Sequence, residues 1–527
     1  MHLQSVGVGR STVDARAIYG AETRFGRAAH INRRYFIAGV VVIMAVGLVI
    51  RLWNLDGASL WTDEALTAYR AEAPFQESLA SIMAAGNQTP LYFWFLRLFP
   101  NSTDTLLRLP SAMLGLAGIG LMMATVMRLY QDREITLWAG AMLAVNPFHI
   151  WLSRTARPYS MLFVLSLLIC YFFLMLLRGN RSRAIWIGFT LSSMLAYSTH
   201  FTAIALPAAQ YLLFAFMLRQ QYKLLRRWMA AQVIAVIPAL GWAYVVLSQP
   251  LSVASEWIPR PELRDLPLTL WNMTLGYDGL FEWHMVPGLM IVTMGLIFGF
   301  NYAAEERMKN RREYFWMWMI IITIIPVFLM SRFFVSIYVD RYFTLILPAV
   351  LLLIMQGWLS FSWHSRLLFR LAMLTIVITG LYTVLFAFYA GSYRRDDWRS
   401  VAEYVAERYE PGDTILLERD NTTKVFARYY AQMPDAHPDP RLAQLWNLPD
   451  TSDLERTSAR VWVIYRNPNE DVHRMGQMPD FDPFNPHLSK MGEWLSVRED
   501  QLVERRTFHG VVILLIDPQA ASVAAQP

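Results

Sequence analysis

Charged residues are scarce in this sequence, and cysteine is almost absent. Of 527 residues, 17% are charged, 55% are hydrophobic and one is cysteine, whereas a soluble globular chain carries about 25% charged residues. A single cysteine, Cys170, excludes an internal disulfide and a metal site built from several thiolates. We interpret Cys170 as a packing residue. The shortage of charge predicts that most of the chain lies in lipid.

Other familiar sequence signals are also missing. The polar C-terminal part, residues 391–527, contains no Gly-x-Gly-x-x-Gly and no Gly-Lys-Ser/Thr phosphate loop, so nothing suggests that it binds nucleotides. The first 30 residues contain arginine but no apolar segment of signal-peptide type, and we interpret residues 1–35 as a cytoplasmic tail. The net charge of +6 reflects basic residues in alternate loops and gives little evidence for nucleic-acid binding.

Long apolar runs dominate residues 36–390. A helix needs roughly 20 apolar residues to cross the hydrocarbon core of a membrane. We identify eleven such runs, near residues 36–52, 109–127, 136–150, 159–177, 185–199, 201–218, 230–247, 286–303, 314–330, 342–361 and 370–390. The third and fifth runs end at polar segments, residues 147–149 and 198–200. We expect those helices to bend or end near a cavity rather than in open lipid.

Arginine and lysine collect before the first run and in alternate loops after it. Because positively charged loops are retained in the cytoplasm, the N-terminus is predicted to be cytoplasmic. The loops 53–108, 248–285 and 331–341 and the C-terminal part are then external. The sequence looks bacterial, so the expected location is the inner membrane.

The C-terminal part, residues 391–527, changes character, since charged residues, proline and aspartate become common. Residues 396–399 lead into an amphipathic helix, and Pro411-Gly-Asp413 predicts a turn into a strand at 414–418. The apolar runs 461–465 and 511–516 predict buried strands. The predicted fold class is therefore a polytopic α-helical membrane protein with an external α/β domain, which we expect to assist access of an acceptor.

Two adjacent acids, Asp63 and Glu64, follow the first apolar run on the predicted external face. Adjacent side chains on a helix diverge by about 100°, so they cannot address one substrate atom equally. One would be catalytic and the other structural. The local pattern also fits a simpler arrangement, in which Thr62 caps a short helix and two acids in its first turn favour the helix dipole.

Further segments form an ordered series along the chain. They are Arg51–Trp53, Leu60–Glu64, Thr89–Phe93, Asn146–His149, Arg157–Ser160, Tyr197–His200, Asp340–Tyr342 and Asp397–Arg399. In this order, and with this external placement, they resemble the motifs of polyprenyl-phosphate-sugar-dependent glycosyltransferases with the GT-C fold, of the family 39 type. Protein O-mannosyltransferase-like enzymes and the aminoarabinose transferases of lipid A are the similar groups. Thr89 departs from the pattern, which has proline there.

The resemblance implies a sugar donor on a polyprenyl phosphate and an acceptor hydroxyl on a protein, glycan or lipid. A hydroxyl is a poor nucleophile at neutral pH, so a carboxylate must accept its proton during attack on the anomeric carbon. We assign Asp63 as this base, with Glu64 as the second catalytic candidate. Attack from the opposite face would invert the anomeric configuration. The departing lipid phosphate would need positive charge rather than a protonating acid.

Arginines at external helix boundaries are the leading candidates to bind the donor phosphate, because a guanidinium can hold two phosphate oxygens. Arg157 and Arg341 come first, and Arg154 and His200 are further candidates. The alternative is that such arginines only anchor a helix end at the membrane interface.

Four more residues are candidates for a substrate pocket: His149, Tyr159, Tyr197 and Tyr342. A histidine there could bind phosphate, orient Asp63 or ligate a divalent ion with it, or simply satisfy a helix end. No diagnostic metal spacing occurs, so metal-dependent and metal-free sites both fit. Tyrosine is also enriched at membrane interfaces.

The external loop 248–285 is rich in tryptophan and acids, and it predicts either an acceptor lid or an interfacial anchor. Its notable residues are Glu256, Trp257, Trp271, Asp278, Glu282, Trp283 and His284.

Two other functional classes also fit many helices. A lipid or glycan transporter would usually carry charges inside its helices and internal repeats, which are not evident here. A lipid-linked-oligosaccharide polymerase or ligase would depend on external arginines and histidines rather than on an early acidic pair.

Overall fold

The computed structural model describes most of the chain, and it has the predicted fold class: a helical membrane part followed by a small α/β domain. The described residues are 31–85, 88–100, 102–217, 221–248, 258–276, 282–305, 311–361, 366–386, 396–417, 420–444, 459–466 and 494–520.

Sixteen helices make up the described membrane part. They are α1 (Arg33–Leu52), α2 (Thr62–Glu72), α3 (Phe75–Ala85), α4 (Leu91–Leu96), α5 (Asp104–Tyr130), α6 (Arg133–Ala144), α7 (Pro147–Ser153), α8 (Tyr159–Leu177), α9 (Arg183–Thr199), α10 (Ala205–Met217), α11 (Tyr222–Leu247), α12 (Asp265–Thr274), α13 (Val286–Glu305), α14 (Arg311–Phe333), α15 (Leu347–Phe361) and α16 (Arg366–Val384). Short 3₁₀ turns precede α10, α13 and α15, at Phe201–Ile204, Trp283–Met285 and Asp340–Ile346.

Eight helices among the described residues are long and apolar enough to cross a membrane, and α6 with α7 would make a ninth span. The helices at the fifth and sixth predicted runs are shorter than these eight: α9 has 17 residues, and α10 has 13 among the described residues. The expected bend of the third run is present, because α6 and α7 meet at 60°. Asn146 caps α7 through its side chain, and Pro147 occupies the first turn, where its missing N–H costs no hydrogen bond.

The helix α15 lies at the centre of the membrane part and is buried along almost its whole length. It packs closely against α13 through glycines on both helices. A Cβ atom at Gly299 would lie 2.2 Å from the carbonyl oxygen of Leu353, and one at Gly357 would lie 2.0 Å from that of Gly295. Any side chain there would force the two backbones apart, so the close packing of α13 and α15 requires glycine at both positions. The 3₁₀ turn that carries Arg341 leads directly into α15.

The described residues of the C-terminal domain form a five-stranded mixed sheet and two longer α-helices. The strands are β1 (Thr414–Leu417), β2 (Arg441–Gln444), β3 (Val461–Arg466), β4 (Leu502–Phe508) and β5 (Val511–Ile516), in the order β2-β1-β3-β5-β4. β1 pairs in parallel with β2 and β3, whereas β5 is antiparallel to β3 and β4. The helices are α17 (Trp398–Arg408) and α18 (Asp420–Tyr430). The predicted helix after residue 399 and the three predicted strands are all present.

Candidate active site

The short helix α2 places Asp63 and Glu64 in different environments. The side chain of Asp63 is 28% exposed, whereas that of Glu64 is fully buried. This difference follows from their adjacent positions in the first turn, which turn the two side chains in directions about 100° apart. The two carboxylates therefore serve different interactions.

Glu64 forms a closed ion pair with Arg108 near the N-terminal end of α5. Arg108 donates from Nε to Oε1 at 2.9 Å and from Nη2 to Oε2 at 2.8 Å, and the backbone N–H of Ala156 also donates to Oε1 at 2.8 Å. Three carbonyl oxygens of the first external loop accept from the same guanidinium, those of Leu55, Ala58 and Ser59. Glu64 and Arg108 together fix the loop that leads into α2.

Arg108 was missed by the sequence reasoning, although a signal was present. It lies where a long apolar run begins, and charged residues at such positions are rare unless they pair or have a function.

Asp63 faces Arg157, which lies between α7 and α8. Asp63 Oδ2 and Arg157 Nη2 are 3.5 Å apart, and Arg157 Nη1 donates to Thr67 Oγ1 at 3.3 Å. Burial is the largest single effect and lowers the pKa of Arg157, but the Asp63 carboxylate, with smaller effects of Tyr159 and Tyr342, outweighs it, so the net shift is upward and the guanidinium stays charged. Within the described residues, Arg157 Nε is buried and has no hydrogen-bond partner.

Arg341 approaches the same place from the turn before α15. Its Nε donates to Tyr159 Oη at 3.1 Å. The guanidinium lies 5.6 Å from the ring centre of Trp61 and 5.7 Å from that of Tyr342, within the range of a cation–π contact. The indole of Trp61, two residues before Asp63, thus connects the first loop to Arg341.

His200 completes an aromatic group beside the two arginines. Its ring stacks on Phe201 at 4.7 Å between ring centres and lies 5.0 Å from Tyr342 and 5.9 Å from Tyr159. The helix α9 ends at Thr199, and the extended backbone of His200 turns its imidazole toward these rings.

His200 is neutral in this environment. Burial first, and then the charges of Arg157 and Arg341, lower its pKa to about 3. His200 Nδ1 lies 2.8 Å from Thr202 Oγ1, and the backbone N–H of Thr202 donates to it at 3.3 Å. Both contacts are satisfied when the single proton lies on Nε2. His200 can therefore donate one hydrogen bond, but it adds no charge.

The structure thus brings together six of the residues predicted from the sequence. They are Asp63, Arg157, Tyr159, His200, Arg341 and Tyr342. We refer to these six residues as the acidic–basic cluster.

Three other predicted residues lie elsewhere. Arg154 donates to the carbonyl oxygens at the C-terminal end of α1 and just beyond it, those of Ile50, Arg51, Trp53 and Asn54. His149 is fully buried beside Phe163, and its Nδ1 accepts from Arg51 Nη2 at 2.7 Å. Tyr197 donates to Gln232 Oε1 on α11. These contacts satisfy helix ends and helix packing, so the structure does not place these three residues in the acidic–basic cluster.

The helix α12 of the external loop 248–285 is fixed at two points. Thr269 Oγ1 and Asn272 Nδ2 donate to the two carboxylate oxygens of Asp340, at 2.6 and 2.5 Å. Asn146 Nδ2 donates to two carbonyl oxygens at the end of α12, those of Met273 and Thr274, at 3.0 and 2.9 Å. The bonds to Asp340 hold α12 against the turn that carries Arg341, and those from Asn146 hold its end against the start of α7.

Several of the predicted lid residues of this loop, Glu256, Trp257 and Asp278, lie outside the described residues. Trp271 is buried in α12, whereas Trp283 is 84% exposed and His284 lies 4.2 Å from the ring of Tyr382. Glu282 directly precedes the 3₁₀ turn at Trp283. The choice between a lid and an interfacial anchor stays a prediction.

In the part of the chain that the structure describes, no group of three or more His, Cys, Asp or Glu side chains could hold a metal ion. Cys170 is buried in α8, with Sγ 3.5 Å from Met319 Sδ.

Comparison with known proteins gives a family-model match over part of the chain and solved structures of similar fold. Residues 87–243 match the family model described as Dolichyl-phosphate-mannose-protein mannosyltransferase. This segment contains Arg157 and His200, whereas Asp63 and Arg341 lie outside it. A comparison with curated proteins gives no match.

The solved structures that are similar include ArnT from Cupriavidus metallidurans in the apo state, with 14% identity and a TM-score of 0.54 over 94% of this chain and 99% of that chain. ArnT bound to undecaprenyl phosphate matches with 14% identity and a TM-score of 0.50 over 93% and 98%. The oligosaccharyltransferase AglB from Archaeoglobus fulgidus, in complex with an inhibitory peptide and a dolichol-phosphate, matches with 10% identity and a TM-score of 0.51 over 94% and 75%.

At these identities the similarity shows the fold. The chain is a multi-pass membrane protein with the GT-C fold of ArnT and AglB, and the resemblance predicted from its motifs is confirmed.

Proposed function

We propose that the protein is a membrane glycosyltransferase that moves a sugar from a polyprenyl-phosphate donor to an acceptor hydroxyl on the external face. One observation carries this proposal: a partly exposed carboxylate, Asp63, lies 3.5 Å from the buried Arg157, beside a second arginine, Arg341. A proton acceptor next to two phosphate-binding groups is what such a transfer requires. ArnT, whose fold this chain shares, was crystallised with undecaprenyl phosphate.

In the proposed reaction the acceptor oxygen attacks the anomeric carbon while the bond from that carbon to the phosphate oxygen breaks. Asp63 accepts the hydroxyl proton, and the configuration inverts because attack and departure occur on opposite faces. The lipid phosphate leaves as an anion. Arg157 and Arg341 stabilise its charge, and burial of Arg157 strengthens that interaction by excluding water. His200 donates one neutral hydrogen bond from Nε2.

Support for an external site comes from the helix ends. Asp63 follows the C-terminal end of α1, Arg157 precedes the N-terminal end of α8, and Arg341 precedes that of α15. Under the orientation set by the basic loops, all three positions are external, and the N-terminus is cytoplasmic. We propose the bacterial inner membrane as the location. Residues 1–35 would form a cytoplasmic tail, 36–390 the transferase part and 391–527 an external domain.

The test is consumption of synthetic polyprenyl-phosphate sugars by purified protein in detergent, with host membrane extract as acceptor. We expect the wild type to consume one donor and Asp63→Asn to consume none while it folds normally. Asp56→Asn is the matched control, because it makes the same change on an exposed side chain of the same loop. Turnover retained by Asp63→Asn would exclude Asp63 as the base, and consumption of no donor by the wild type would contradict the transferase proposal.

A further inference from the structure

A buried tyrosine of the C-terminal domain contacts the loop that leads to Asp63. Helix α18 packs on α2, and Tyr429 of α18 is 2% exposed. Its hydroxyl accepts from the backbone N–H of Leu60 at 2.7 Å and donates to Asp104 Oδ2 at 2.5 Å. Burial and the Asp104 carboxylate both raise the pKa of Tyr429, so the phenol stays protonated and keeps donating.

Asp104 joins the same contact to the start of α5. Arg399, at the start of α17, donates from Nη2 to Asp104 Oδ2 at 3.1 Å and from its backbone N–H to Ser59 Oγ at 3.2 Å. Arg108 lies one helical turn after Asp104 and donates to the backbone carbonyl oxygens of Leu55 and Ser59 in the same loop. The end of the first loop is therefore held between α5 and the C-terminal domain.

The position of Leu60 gives this contact its importance. Trp61, the next residue, lies against Arg341, and Asp63 follows two residues later. Leu60 is fully buried, so its N–H has no water to replace the phenol, and a buried N–H without a partner carries the full cost of desolvation. Loss of the Tyr429 hydroxyl would let this segment shift.

We propose that Tyr429 is a positioning residue: through Leu60 and Asp104, the C-terminal domain sets the place of Trp61 and Asp63 relative to the two arginines. The proposal rests on the proposed function for its effect on rate, and it gives the C-terminal domain a role beyond acceptor access. A shift of about 1 Å in a reacting group can lower a rate roughly 100-fold, so removal of one hydroxyl should be visible in kcat.

The test compares Tyr429→Phe with Tyr430→Phe in the full-length protein. The two tyrosines are neighbours on α18, and both are 2% exposed. Each hydroxyl accepts from one backbone N–H, and the donor to Tyr430 is the N–H of His437, at 3.2 Å. Of these two hydrogen bonds, only the one to Tyr429 comes from a residue of the first loop. The two readouts are the donor kinetics and hydrogen–deuterium exchange of the backbone over residues 55–66.

We expect Tyr429→Phe to lower kcat roughly tenfold with little change in the donor KM, and to speed exchange over residues 55–66. Tyr430→Phe should change neither. Equal exchange in the two variants would overturn the anchoring, and faster exchange with an unchanged kcat would overturn the positioning role. If the wild type consumes no donor, the proposed function fails, and the exchange comparison alone decides the anchoring.

Discussion

Replacing Glu64 by glutamine removes one buried charge and keeps the size of the side chain. The bidentate pair with Arg108 is lost, and the new amide group places a donor against a guanidinium that has only donors. Arg108 keeps its contacts to the loop carbonyls, but it loses the carboxylate that is paired with it directly. Removing one partner of a buried pair costs about 3–5 kcal/mol.

The neighbouring substitution, Asp63→Asn, should behave in the opposite way. Its carboxylate is 28% exposed and lies 3.5 Å from Arg157, longer than a charge-assisted hydrogen bond. The expected loss of stability is smaller than for Glu64→Gln, because this pair has one long contact and its carboxylate is partly open to water. Asp63→Asn is therefore expected to fold like the wild type and to lose turnover, whereas Glu64→Gln should unfold earlier and keep more turnover per folded molecule.

Stability is measured by thermal unfolding in detergent, as the fraction of protein that stays monodisperse. Turnover is measured as donor consumption per folded molecule. Glu72→Gln is the control, because Glu72 lies on the same helix and its pair with Arg428 leaves the carboxylate 40% exposed. It should unfold with the wild type. A Glu64→Gln protein that unfolds with the wild type but has no turnover would refute the separate roles given to the two acids.

Two further predictions concern the basic residues. Arg157→Lys should raise the donor KM about tenfold, because lysine cannot hold two phosphate oxygens at once. Arg154→Lys, three residues earlier, should lower the unfolding temperature and leave the donor KM unchanged. Equal donor KM values in the two variants would contradict the assignment of Arg157 to the phosphate. Because the pKa of His200 is lowered from 6.5 to about 3, its contribution to stability is complete above pH 6.5 and is lost as the pH falls toward 3. His200→Asn should therefore lose less stability than the wild type between pH 6.5 and about 3. The measurement is the unfolding midpoint of each protein at each pH. Identical dependence of the midpoint on pH in the two proteins would show that His200 is not held neutral.

The membrane fold could be predicted because it depends on local properties of the chain. Apolar runs and basic loops are read directly from consecutive residues, and nine of the eleven runs correspond to spans or to the bent pair. The other two, α9 with 17 described residues and α10 with 13, are shorter than the eight long helices. Apolar composition alone does not distinguish a short packed helix from a span.

The cluster could be predicted only in part, because partners distant in sequence decide it. Adjacency of Asp63 and Glu64 predicts that they diverge, but which one is buried depends on Arg108, 44 residues away. His149 and Arg51 are separated by 98 residues, and no local pattern indicates their contact. Arg154 and Arg157 look alike as arginines at a helix boundary, yet only the structure shows that Arg154 satisfies the end of α1.

The glycine contacts between α13 and α15 have a consequence for mutational scanning. At Gly299 and Gly357 the facing atoms are backbone, which no rotamer change can move away. A scan that scores only activity would give these two positions the same intolerance as Asp63, although neither belongs to the acidic–basic cluster. A second score for protein abundance in the membrane would separate them. Positions that lose both scores would mark the framework, and those that lose activity alone would mark the chemistry.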